Sequence, residues 1–363
     1  MVQRTRYGSR RCSGNLTFPE EEEIPMDIMA NSIVKGKTKR KDYIDVLRAF
    51  ALFFVILGHQ MKGVTPYFVF TSPVKIPLFF VITGYVFNYS RTSTTAFFKN
   101  LFWKLIVPWL CLTIPFAFLK VPFKGTSALL TELYEIISGV TSWYMPCCIV
   151  AEIIWFFVCK YGKTKWRIAV VSVALCLLGI AFSSRNILEF AMINNALVAQ
   201  YWILLGFLIR SYEDKLARIK RPYILGMFLL FLGMGFATLK LWPGSCIDVH
   251  KHTYYNYPFC FAMITLGCLT VFLAARMLGS RQKFAFPRFL LFLGQNTLVF
   301  YLLHGFDVLA LTWVLSKAHI ELTMPILVCA KVLFAYIACT IETLIILRFF
   351  PWVLGKRAVT RQH

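Results

Sequence analysis

The chain has 363 residues, 58% of them hydrophobic and 17% aromatic, with only 15% charged and a formal net charge of +22. Soluble domains are richer in charge. Thirty-five Phe, long apolar runs and a mean hydropathy of +0.64 exclude a soluble enzyme and predict an all-α, polytopic transmembrane helical bundle. The basic residues are spread between the apolar runs rather than gathered in one domain, which argues against nucleic acid and for cytoplasmic loops under the positive-inside rule.

Residues 1–42 are polar, with Glu20 to Glu23 and a basic run from Lys35 to Lys41, and read as a disordered cytoplasmic tail. No short apolar core marks a signal peptide, and Met26 or Met29 is an alternative start. Ten spans are expected at 45–63, 74–90, 105–121, 143–159, 167–184, 189–209, 223–242, 258–278, 289–315 and 323–349. With both termini inside, most Lys and Arg fall on the inner side. The membrane domain is 43–355, and 356–363 is a second basic tail. No internal repeat is evident, which weakens a transporter of inverted repeats. The eleven cysteines form no CxxC and no zinc spacing, and most sit in apolar runs as small hydrophobes.

Chemistry must therefore arise among helices and short loops, because GxSxG, P-loop and HExxH motifs are all absent. Ionisable groups inside a span suggest function by default. Arg48 and His59 share the first span and stand roughly 16 Å apart along it, one near the inner face and one in the outer half. His59 is the first candidate for a proton-accepting imidazole. Arg48 reads equally as recognition of an anionic cytosolic donor or as a snorkelling anchor paired with Asp45. His304 in the ninth span should lie at the depth of His59, with Asn296 two turns below on the same face. His304 reads equally as a site residue or as half of a helix–helix hydrogen bond.

Glu152, inside the fourth span, needs a partner and is expected to orient one of the two histidines. Trp143 and Tyr144 open that span as interfacial aromatics. Trp143, Tyr85 and the outer loop 243–257 (PGSCIDVHKHTYYNY) are the acceptor-binding candidates. Lys99 and Lys104 are positioned to meet phosphates, although positive-inside topology alone explains them. His250 and His252 resemble a metal pair without a third ligand, so no metal is expected.

Four stretches, in order, are similar to those of the acyltransferase-3 family of integral membrane acyltransferases, and more narrowly to its fucose 4-O-acetylase-like members. They are DVLRAFALFFVILGH, PLFFVITGYVF, SWYMPCCIVAEIIW and LGQNTLVFYLLH. The resemblance spans about 43–355 and implies transfer of an acyl group, commonly acetyl, from cytosolic acetyl-CoA to a carbohydrate or lipid-linked sugar at a membrane surface. It implies that His59 is the essential histidine and Arg48 its motif partner. A bacterial plasma membrane is implied too. An RxxR pair common in the family falls on Leu101 and Lys104. Lys keeps charge but loses the bidentate fork, leaving Lys99 or Arg91 to compensate.

The expected activity is O-acetyl transfer, with His59 as general base or transient acyl carrier and with His304, Asn296 and Glu152 positioning or polarising. A succinyl or other donor and an amine acceptor are open variants. A transporter or flippase of glycan intermediates would also use intramembrane His, Glu and Arg. A membrane anchor for polysaccharide synthesis would need none of them.

Overall fold

The computed structural model describes residues 41–61, 65–89, 93–124, 127–185, 187–279 and 287–355. The tails expected at 1–42 and 356–363 lie outside the described residues apart from Lys41 and Asp42, as does Arg91. No strand occurs among the described residues, and the only β feature there is an isolated Asp248–Thr253 bridge.

Nine helices among the described residues are long and apolar enough to cross a membrane, against ten expected spans. The one outside that set is the first, α1 (Asp42–Gln60), which carries Asp42, Asp45, Arg48 and His59. It is nevertheless threaded through the bundle. Tyr43 packs on Gly279, and the Asp45 carbonyl meets Gly294. At its other end His59 meets His304.

The second span begins earlier than the sequence suggested. It combines α2 (Thr65–Lys75) and α3 (Pro77–Val86) into a crossing from Pro66 to Val86. Pro73 lies inside α2, and Pro77 sits at the first turn of α3, where a missing N–H costs little. The third span is one long element. α4 (Thr94–Leu101) passes through a π-helical turn at Phe102–Ile106 into α5 (Val107–Lys124). The short helix α6 (Ser127–Ser138) follows, where only an outer loop was expected. Then come α7 (Tyr144–Gly162), α8 (Lys165–Ser183), α9 (Ile193–Ser211), the short α10 (Glu213–Leu216), α11 (Arg221–Leu241) and α12 (Tyr257–Gly279).

The ninth expected span breaks at Asn296 into α13 (Arg288–Gln295) and α14 (Thr297–Lys317), before the last helix, α15 (Met324–Phe349). Asn296 leaves helical geometry at φ −122°, and its Nδ2 donates to the Phe292 carbonyl at 2.8 Å. The Thr297 hydroxyl donates to the Gly294 carbonyl at 2.8 Å. These bonds satisfy carbonyls that a broken helix leaves open. Asn296 therefore shapes the break, and it does not line the histidine cavity two turns above.

α3 packs against α9, α1 against α13, and α14 against α15. In lipid such packing rests on close fit rather than on water exclusion. The interior is filled by large side chains such as Trp155, Trp202, Phe80 and Phe300.

Candidate active site

A cavity of about 970 Å³ opens where α1, α2, α14, α15 and the loop 243–257 converge. His59 faces into it, and His304 forms part of its wall. The two rings stand 5.1 Å apart between centroids, tilted by 56°. Counting residues from the inner starts of two outward-running spans put the two histidines at similar depth, and the rings are neighbours. His304 is buried, and its Nδ1 lies 2.9 Å from the Phe300 carbonyl. A carbonyl only accepts, so Nδ1 carries a proton, and in the neutral form of the ring the lone pair is on Nε2. The bond stays within α14 and does not use Nε2.

The outer loop forms the roof. Its shape comes from Asn195 on α9, a buried amide that donates to the carbonyls of Val249 at 2.8 Å and His250 at 3.0 Å. Asp248 Oδ1 accepts the amides of His250 and Lys251 at 3.0 and 3.1 Å. The loop is so held that His250 stacks on Trp143, with centroids 4.8 Å apart and planes 15° from parallel. Trp143 thereby lines the cavity, beside Thr141 and Ser142. Asn195 gave no sequence signal, because an Asn near a helix start looks like a cap.

Burial lowers the pKa of His250, and burial, then the neighbouring His250, takes that of His252 down to about 4. The folded loop thus favours neutral rings. An unfolded loop would bind protons near pH 6.5, so loop stability is full above that value and falls progressively as pH drops toward about 4. Hydrogen exchange across 243–257 should report faster opening over that window. His252→Leu should flatten the dependence, and an unchanged profile would exclude His252 as its origin.

A second polar group lies toward the other end of α1. Arg48 pairs with Asp45 at 3.4 Å, the carboxylate being buried. Glu152 accepts a weak bond from Cys148 Sγ at 3.9 Å and lies within electrostatic reach of Lys104 and Arg48. The structure thus groups Glu152 with the inner cations and not with the histidines it was expected to orient. The reason is its position two turns into a helix whose outer end is Trp143. Lys104 is exposed on the π-helical turn, a geometry common at functional sites, and Lys99 is exposed in the last turn of α4.

Tyr85 is not at the cavity. It lies at the inner end of α3, where its hydroxyl meets the Tyr43 hydroxyl at 2.8 Å and accepts from Lys41 at 2.6 Å. Lys41 and Arg276 also pair with Glu213, at 2.8 and 3.5 Å. Burial opposes the charge on Glu213, but the Lys41 bond and charge, with Tyr85 and Arg276, outweigh it and hold the carboxyl below its usual range. This is a structural clasp joining α1, α3, α10 and α12.

Three cavity or near-cavity features were not among the expected site residues. Lys75 and Lys331 both line the cavity. Asp307, Cys339 and Glu342 gather between α14 and α15, with potential ligand atoms all within 4.8 Å of one another. Cys339 Sγ donates to Asp307 Oδ2 at 3.0 Å, so hydrogen bonding already accounts for part of this cluster. One thiol and two carboxylates are also a donor set that a zinc-like ion accepts.

Residues 41–343 fit the model of the acyltransferase-3 family, described as an acyltransferase domain. No curated protein and no solved structure matches. The matched region contains both histidines, the Arg48–Glu152–Lys104 group and all but the last turns of the bundle. The chain belongs to the acyltransferase-3 family and is an integral, multi-pass membrane acyltransferase.

Proposed function

We propose that the protein is an O-acetyltransferase that moves the acetyl group of acetyl-CoA to a hydroxyl of a surface glycan or lipid-linked sugar. The reaction follows the resemblance of its motifs to fucose 4-O-acetylase-like members, and the setting in this reading is a bacterial plasma membrane. The observation that carries this reading is the His59–His304 pair opening onto a cavity, with His59 on the same helix as Arg48.

Arg48, Lys104 and Lys99 are the residues to hold the donor at the inner end. Their charge suits a polyphosphate, and the exposed lysines can follow it. The pantetheine arm would run along α1 for roughly 16 Å to bring the thioester to His59. In the base route, His59 removes the acceptor hydroxyl proton as oxygen attacks the thioester carbon, and the CoA thiolate leaves and is protonated. In the carrier route, an imidazole nitrogen attacks first and CoA leaves. The acceptor hydroxyl then displaces the ring from the acyl group and returns it to neutral imidazole. His304, with its basic nitrogen on the far side from Phe300, is the adjacent group to pass or share the proton. Trp143 and His250 offer the flat apolar face that a sugar ring needs.

The test uses purified protein in nanodiscs with acetyl-labelled acetyl-CoA and no acceptor, wild type beside His59→Ala. Release of CoA by wild type alone supports a donor-using enzyme, and label retained on wild type selects the carrier route. CoA release at the same rate from both proteins would remove His59 from the chemistry. Lys104→Ala should raise KM for acetyl-CoA severalfold with kcat little changed, since a phosphate contact made equally in ground and transition states affects binding alone. An unchanged KM would return Lys104 to a topological role.

A further inference from the structure

We infer that the outer cavity is an anion site: it binds a carboxylate or phosphate group carried by one of the two reactants, beside His59. The charged lining residues are Lys75, Lys331 and Asp248, so the formal balance is two cations against one carboxylate. Among the described residues neither lysine makes an ion pair. Asp248 feels the Lys75 charge but spends Oδ1 on two backbone amides.

Lys75 is the telling residue. It lies nine residues into the Pro66–Val86 crossing, about 14 Å below its outer end. Positive-inside topology does not explain a lysine there, and a desolvated ammonium is costly without a partner. Its ammonium lies over the Phe68 ring at 4.7 Å, which offsets part of that cost. The same ammonium fills space beside Gly58: a Cβ on that glycine would sit 3.2 Å from Nζ. The charge is thereby held against the backbone one residue before His59. Lys331, seven residues into α15 and so about 10 Å from that helix's outer end, lines the same cavity. An acidic sugar would place its carboxylate or phosphate between them and its hydroxyl at His59. A dicarboxylic acyl group on the donor would do the same with its free end.

The identity of the ligand as a reactant rests on the acyl-transfer reading, whereas anion binding does not. Two arms separate them. Dissociation constants for glucuronate and glucose are measured by calorimetry on protein in nanodiscs, and CoA release is compared between succinyl-CoA and acetyl-CoA. The expected result is at least a tenfold preference for the anionic member in one arm, which identifies the reactant that carries the charge. Lys75→Met and Lys75→Gln should reduce it to near parity, and Lys331→Met should reduce it in part. Removing a desolvated ammonium relieves the bundle, so these variants are expected to fold. Parity in both arms, or a preference that survives both Lys75 variants, overturns the proposal. Glucuronate preference without CoA release would keep the anion site and reject the transfer reading.

Discussion

Replacing His59 by Ala should abolish acyl transfer while the protein still inserts and folds. His59 faces the cavity rather than the packed interior, so its removal leaves no unfilled core. Base catalysis by one positioned group contributes typically 10²–10⁴-fold, and a carrier role would make the loss deeper. Both routes therefore predict a fall in kcat of at least about a hundredfold. KM for acetyl-CoA should change little, because the phosphate-holding cations lie roughly 16 Å away along the helix. The measurement is initial rate against donor concentration, with thermal unfolding in nanodiscs as the control for fold. Retained activity would place the reaction elsewhere, and a parallel loss of Tm would reassign His59 to structure.

Much of this arrangement was legible from residue counting. A bilayer imposes a length on each apolar run, so the spans emerged with small errors. Two histidines at matched distances from the inner starts of outward-running spans were expected at similar depth, and their rings are neighbours. What stayed hidden was direction around and along helices. Glu152 lies in the right span, but its neighbours are set by the packing of α7 on the π-helical turn. Tyr85 belongs to a helix that runs inward, which already put it at the inner end. Asn296 sits within an apolar helical pattern, and only the fold reveals that its amide ends one helix before the next begins. Lys75 fell at the start of the expected second span, whereas the crossing begins at Pro66 and places it nine residues inside.

The motif glycines have a physical reason that the sequence could not supply. A Cβ built on Gly84 would overlap the Ile203 carbonyl oxygen, and one on Gly206 would overlap that of Val81. The two helices α3 and α9 thus meet backbone to backbone, each through the other's glycine. Gly294 meets the Asp45 carbonyl in the same way, which locks α13 against the turn of α1 that leads to Arg48. Small residues permit this approach in membranes, and the added methyl must force the helices apart.

Gly206→Ala and Gly294→Ala should each destabilise by about 1–3 kcal/mol or more, since backbone cannot rotate away as a side chain can. Gly226→Ala and Gly233→Ala on α11 are the controls. Nothing lies within 4 Å of either added Cβ. Relief of glycine's conformational entropy should leave them neutral or more stable by up to about 1 kcal/mol. Thermal unfolding of the four variants therefore separates close approach from helix propensity, and equal effects would refute the close-packing reason. Gly294→Ala carries a further consequence that Gly206→Ala lacks. It displaces α1 at Asp45, one turn before Arg48, so the surviving folded protein should bind acetyl-CoA more weakly. A folded Gly294→Ala protein with unaltered KM would uncouple the α1–α13 contact from the donor end of the site.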